Sequence, residues 1–188
     1  MATIHTGTTM APTKLELLGE WLPRQPWYRS TGQLPELRRA GGFRLDDPDG
    51  EVGIEFMLVT DGAGGAETTY FLPLTYRGEP LAGADDALVG TSEHGVLGTR
   101  WIYDGAQDPV AVAQLLEFVR GGVEAQHQSQ SDTPDPSVGR TWAAIAEAGP
   151  LEVLRLPGGG VGTALGSVEC DWTRSDGTLA RGTVAVVR

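Results

Sequence analysis

Two consecutive runs of alternating residues constrain this chain more than any other feature of it. Glu51–Thr60 (EVGIEFMLVT) puts Val52, Ile54, Phe56 and Leu58 on one side at a period of two, and Glu67–Gly78 (ETTYFLPLTYRG) does the same with Tyr70, Leu72, Leu74 and Tyr76. An extended strand turns that period into a continuous apolar face, which another layer has to cover. Between them DGAGGA reads as a flexible hairpin tip, and GFRLD, before the turn signal DPDG, supplies a third strand. The three predict an antiparallel meander. Pro73 forfeits a ladder donor, which predicts an edge position or a bulge. A Gly- and Asp-rich stretch with the apolar run ALVG and a turn-like SEHG follows, and then TRWIYDG reads as another short strand.

Two helices are written just as plainly. Thr13 and Glu16 form a capping box ahead of an apolar stripe of Leu15, Leu17, Leu18, Trp21 and Leu22, predicting a helix over Lys14–Leu22 that Pro23 stops. Asp108 is an N-cap, Pro109 suits the first helical position and Gly121 supplies a left-handed end. Between them Val112, Leu115, Leu116 and Val119, widened by Val110 and Phe118, predict a helix buried against the sheet. Beyond it, Glu124–Gly139 is polar and Pro-containing and reads as a linker or exposed loop. RTWAAIAEAG stays open between helix and strand. PLEVLRLP, LGSVECDWT and TLARGTVAVVR read as three strands, the last two joined at RSDG. The expected division is an α+β domain over 1–121, a linker or loop over 122–139 and a β-rich subdomain over 140–188.

Composition excludes several function classes. A chain of this length buries about 70% of its unfolded surface, and no apolar run approaches the roughly 20 residues of a bilayer span. The opening MATIHTGTTMAPTK has neither a basic start nor an apolar stretch, so no signal peptide is expected and the cytoplasm is the expected location. A net charge of −11 and a pI near 4.6 argue against nucleic acid as a partner. The lone Cys170 cannot form an intrachain disulfide and reads as a small buried residue.

The tempting motifs fail on their details. LPGGGVGTALGS lacks the Gly-Lys-Ser/Thr ending of a phosphate loop, Lys14 is the only lysine, and the segment after it alternates like a strand, so a flexible hairpin tip is expected there. His5, His94 and His127 are scattered without metal-ligand spacing. Ser92, Glu93 and His94 adjoin in sequence, which on a strand places neighbours on opposite faces. Asp46/Asp47 and Asp85/Asp86 read as solvated loop carboxylates. The sequence therefore predicts no catalytic residue, no cofactor and no metal. Trp21, Trp101 and Trp172 fall on elements and read as core. Trp27 and Tyr28 differ, because LPRQPWYRSTG lies between elements, where an aromatic either plugs the domain or presents a contact surface.

At this segment a family likeness enters. WLPRQPWYRSTG, through Trp21, Gln25, Trp27 and Tyr28, resembles the N-terminal signature of actinobacterial-type maltokinases. The later ALVGTSEHGVLGTRWIYDGAQDPVAVAQLLEFV, with Val89–Thr91, Tyr103 and Asp104, is similar to the segment ending that family's cap. The likeness runs from Lys14 to Val119. It implies an α+β fold, a curved antiparallel sheet packed on helices in a cystatin-like cap, followed here by the C-terminal β-rich subdomain. In that family the cap sits on the ATP-binding lobe of a maltose 1-kinase, whose phosphate-holding lysine, catalytic-loop series and metal-binding Asp motif have no counterpart in this sequence. The resemblance thus implies a non-catalytic cap-like protein. Its expected role is to bind or regulate a partner, a maltokinase or related enzyme of α-glucan, trehalose or maltose metabolism, through Arg24, Gln25, Trp27, Tyr28 and Arg29. Two rival readings are a small module for a sugar or nucleotide with Gly158–Gly166 as its lid, and a hydrolase using Ser92 or His94.

Overall fold

In a computed structural model that describes residues 10–62, 67–130, 132–143, 149–158 and 162–188, the alternating runs become neighbouring central strands. In chain order the elements are β1 (Met10–Ala11), α1 (Lys14–Trp21), β2 (Leu37–Asp46), β3 (Gly53–Asp61), β4 (Thr68–Arg77), β5 (Leu88–His94), β6 (Gly98–Asp104), α2 (Pro109–Arg120), β7 (Gln126–His127), β8 (Gly139–Trp142), β9 (Leu151–Val153), β10 (Gly166–Thr173) and β11 (Leu179–Val187). The first seven strands form one antiparallel sheet in the order β1-β5-β6-β4-β3-β2-β7, and the last four a second in the order β8-β10-β11-β9. The described chain is mostly β, with few helices.

Strand β3 is buried along nearly its whole length because both faces of the large sheet are covered. Ile54, Phe56 and Leu58 point to one side, against Phe43, Leu45, Phe71 and the Ala111, Leu115, Phe118 and Val119 stripe of α2. Met57 and Val59 point to the other, where they meet Tyr70, Leu72 and Leu74 of β4 and Leu18, Trp21 and Leu22 from the α1 end. The caps predicted for both helices are formed: Thr13 and Glu16 make both halves of the capping box, Asp108 accepts the Val110 N–H, and Gly121 closes α2 at φ 89°. Helix α1 ends one residue before the predicted Leu22, which opens a short 3-10 turn, Leu22–Arg24, that accommodates Pro23.

Four details depart from the sequence reading. Strand β2 begins at Leu37 rather than Gly42, because a bulge between Arg39 and Gly41 carries the Pro- and Arg-rich stretch into the ladder. SEHG is no turn at its start; it completes β5 opposite β6. Pro73 lies on an inner strand, between β3 and β6, and not at a bulge. The ladder to β6 stops at Leu74, and the Pro73 carbonyl there accepts the Gly105 N–H at 2.9 Å. Two residues back, the Phe71 N–H points to that same open side and donates to the Arg155 carbonyl at 2.9 Å, so the donor Pro73 lacks would face a local edge. Lastly, the Gly-rich stretch is not a hairpin tip, since β9 pairs with β11 and β10 lies between β8 and β11. Gly158 donates to the Thr183 carbonyl of β11, and residues 159–161 lie outside the described ones. Residues 63–66 of the DGAGGA tip and much of AAIAEAG also fall outside them, while the start of RTWAAIAEAG is strand β8.

The second sheet is a separate layer rather than an extension of the first. Val168, Cys170, Trp172, Val184, Ala185 and Val187 join the α2-side core of the large sheet in one cluster. The two sheets approach closely at Gly41, where an added Cβ would stand 3.0 Å from the Asp171 carbonyl oxygen. Residues 122–139 contribute the buried Ala125, and Gln126–His127 pair with Phe43 and Arg44 of β2. No helix among the described residues is long and apolar enough to cross a membrane.

Candidate functional site

The 3-10 turn after α1 directs the chain across the sheet face that carries Tyr70, and there the residues singled out from the sequence separate into two groups. Trp27 is half-buried, edge-on to Trp21 with ring centroids 5.8 Å apart and 6.0 Å from Tyr70. Tyr28 lies 5.7 Å from Tyr70, and its hydroxyl donates to Asp61 Oδ2 at 2.7 Å. Burial, and after it the Asp61 carboxylate, push the Tyr28 phenol well above its ordinary ionisation range, so it stays a neutral donor. The Arg29 N–H donates to the Tyr70 hydroxyl at 3.0 Å. Gln25 Nε2 donates to the Trp21 carbonyl at 3.2 Å, and Arg24 Nε to the Glu20 carbonyl at 3.1 Å, so both help close the end of α1. The aromatics converge; the guanidinium groups of Arg24 and Arg29 face outward.

One partner in this cluster comes from far along the chain. Arg155, just past β9, lays its guanidinium 4.7 Å from the Trp27 ring centroid and donates from Nη2 to Asp104 Oδ2 at 2.5 Å. Asp104 is almost fully buried and also accepts the Ala106 N–H and the Gln107 Nε2 at the turn leading to α2. Its neighbour Tyr103 accepts the Leu81 N–H through its hydroxyl. Nothing local in PLEVLRLP marks Arg155, because its role follows from the strand order of the two sheets.

A second buried polar cluster surrounds the single lysine. Glu55 on β3 is 5% exposed and accepts from Lys14 Nζ at 2.5 Å, the Tyr76 hydroxyl at 2.6 Å and Gln128 Nε2 at 3.1 Å. Burial drives the Glu55 carboxyl up, but Lys14 and the Tyr76 hydroxyl outweigh it and hold it below its ordinary value. Lys14→Met should therefore cost about 2 kcal/mol, at the low side for a broken buried pair because Lys14 is a third exposed and Glu55 keeps two donors. A lowered carboxyl stabilises above its unfolded value of about 4.3 and that contribution fades as pH falls through the folded value. The gap between wild type and Lys14→Met in urea melts should thus be full at pH 7 and close below about pH 4; a gap independent of pH would contradict the pairing.

The remaining motifs serve the fold. The Ser92 hydroxyl donates to the Pro12 carbonyl at 2.7 Å, and His94 Nδ1 accepts the Leu97 N–H at 3.1 Å in the β5–β6 turn, so the two do not form a nucleophile–base pair. Asp47 is not solvated as expected: it is 4% exposed and accepts the N–H groups of Asp49, Glu51 and Val52 in the turn before β3. Cys170 is buried, which pushes its thiol up to about 12. An open depression of about 390 Å³ lies at the β2 bulge, lined by Arg39, Gly42, His127, Gln128 and Ser129 and by none of the described residues of the Gly158–Gly166 stretch. Among the described residues no three of His, Cys, Asp and Glu are grouped to hold a metal ion.

Compared with known families, residues 21–108 match the maltokinase N-terminal cap domain, a span that starts at Trp21 and ends at Asp108. No curated protein matches the chain.

Proposed function

Taking that maltokinase cap match as premise, we propose that this protein is a non-catalytic, cap-like binding protein of α-glucan, trehalose or maltose metabolism, acting in the cytoplasm on a maltokinase or a related enzyme. In this reading residues 1–121 are the α+β, cystatin-like part, residues 122–139 a connecting stretch and 140–188 a β-rich subdomain. The observation that carries the proposal is the match itself, which begins at the aromatic segment Trp21–Tyr28. Arg24, Gln25, Trp27, Tyr28 and Arg29 form the proposed contact region, with half-exposed aromatics beside exposed arginines, the composition favoured at interface centres.

Calorimetric titration into the maltokinase of the same cell tests this, with saturable binding and an altered kinase rate expected. Heat-silent mixing and an unchanged rate would count against it, as would ATP turnover by the purified chain that a point substitution abolishes. Trp27→Ala should cost about 2 kcal/mol, because three neighbours hold a half-buried ring. It should also weaken binding; a loss of stability with unchanged affinity would make Trp27 a plug alone.

A further inference from the structure

The charge of this protein is distributed unevenly. Residues 21–44 contain five arginines, Arg24, Arg29, Arg38, Arg39 and Arg44, against one acidic residue, Glu36, in a chain whose net charge is −11. Elsewhere Lys14, Arg77, Arg120, Arg140, Arg155, Arg181 and Arg188 have carboxylate partners. In this segment Arg44 has one, whereas among the described residues Arg24, Arg29 and Arg38 are exposed without a carboxylate at ion-pair distance. Among the described residues outside this segment only Arg100 and Arg174 lack a carboxylate at ion-pair distance, so the guanidinium groups without one are concentrated here.

The same segment holds the most exposed large apolar side chain described, Leu34 at 89%. A lone exposed leucine means little, but the loop around this one is fastened at both ends by a single carboxylate. Asp61, 8% exposed, takes the Tyr28 hydroxyl on Oδ2 at one end and the Glu36 N–H on Oδ1 at 2.8 Å at the other. Trp27 and Tyr28, engaged by Trp21, Tyr70, Arg155 and Asp61, form the footing of this loop rather than its tip. A loop closed in advance loses less conformational entropy when it docks.

We propose that the segment Arg29–Arg38, the Asp61-closed loop with the first two residues of β2, is the docking element of this protein, inserting Leu34 into an apolar hollow on an acidic protein surface that Arg24, Arg29 and Arg38 neutralise. The proposal deepens the cap reading by giving the partner's chemistry and moving the anchor from Trp27 to Leu34. Charge selects the occupant: guanidinium groups left without a carboxylate at the rim steer toward carboxylates and raise the on-rate.

Two arms keep the proposal and the reading beneath it apart. In the first, the ¹⁵N-labelled protein is titrated with a glutamate dodecapeptide carrying a central leucine pair. Amide shifts should concentrate in residues 29–38, shrink with added salt, and fall at least tenfold in affinity for Leu34→Asp and for Arg29→Glu/Arg38→Glu, substitutions at exposed sites that leave the melting curve unchanged. Silence at millimolar peptide, or shifts centred elsewhere, overturns the proposal. In the second, the maltokinase replaces the peptide: binding that survives both variants overturns the docking element while sparing the cap reading. Peptide shifts on the loop with no maltokinase binding keep the element and remove that partner. Light scattering that shows a dimer lost in Leu34→Asp makes the occupant a second copy and overturns the acidic-partner assignment.

Discussion

Asp108→Ala should lower stability by about 4 kcal/mol, the largest single-residue effect expected outside the apolar core. The Asp108 side chain is fully buried and all its acceptor capacity is in use. Oδ1 accepts Arg77 Nη2 at 2.7 Å and the Val110 N–H at 3.0 Å; Oδ2 accepts Arg77 Nε at 2.7 Å and the Thr75 hydroxyl at 2.7 Å. One side chain thus caps α2, clamps an arginine in two-point geometry and ties β4 to the helix start. Alanine would strand a mostly buried guanidinium and a buried hydroxyl and uncap the helix, and the first of these losses alone is worth about 3–5 kcal/mol in other buried pairs. Asp108→Asn retains a capping oxygen but not the charge, and should lose about half as much. Burial raises the Asp108 carboxyl, yet Arg77, Thr75 and the Val110 N–H outweigh it and hold it below the ordinary value. Its contribution is therefore complete above the unfolded value of about 3.9 and disappears as pH falls through the folded one. Urea midpoints at pH 7 and pH 3 for wild type and both variants check this, and an Asp108→Ala loss under about 1 kcal/mol would remove the clamp from the account.

How much of this was legible in the sequence depended on whether a signal is local. The capping box at Thr13 and Glu16, the N-cap Asp108 and the Gly121 end follow from the chemistry of four or five adjacent residues, and they recur in three dimensions. The period of two in β3 and β4 was equally readable, as were Tyr70, Leu72, Leu74 and Tyr76 on one face. Pro73 departs from its sequence signal because the edge it needs is made by where β6 ends, a fact about a partner strand about thirty residues away. The Gly-rich stretch departs for a related reason: its composition predicts a hairpin between consecutive strands, whereas β11 lies between β9 and β10. At the candidate site the aromatic pair announced itself by lying between elements. Asp61 closes the loop from the end of β3, and Arg155 arrives from the second sheet, so no spacing rule could have attached either to Trp27.

Arg155→Ala is the second large effect, expected to cost about 3 kcal/mol and to change what Trp27 faces. Arg155 holds the almost fully buried Asp104 and stacks on the Trp27 indole while its own carbonyl joins β4 at Phe71. Alanine keeps the backbone bond and removes the other two contacts, leaving Asp104 with only the weaker turn donors Ala106 and Gln107. Two observations separate this from simple loss of packing. Arg155→Lys preserves a charge near Asp104 without the planar stack, and should recover part of the stability but not the indole environment. The emission of the wild type should move to the red in Arg155→Ala, and the move should vanish when Trp27→Phe is made in both backgrounds, since only Trp27 has lost its cover. A stability loss under about 1 kcal/mol with unmoved emission would mean that the junction between the second sheet and β4 rests on the Phe71–Arg155 backbone bond and the shared core alone. If the expected values are found, the state of the second sheet reaches the aromatic footing of the Asp61-closed loop through one side chain. In that case Arg155→Ala should weaken acidic-peptide binding even though Arg155 lies outside the docking loop.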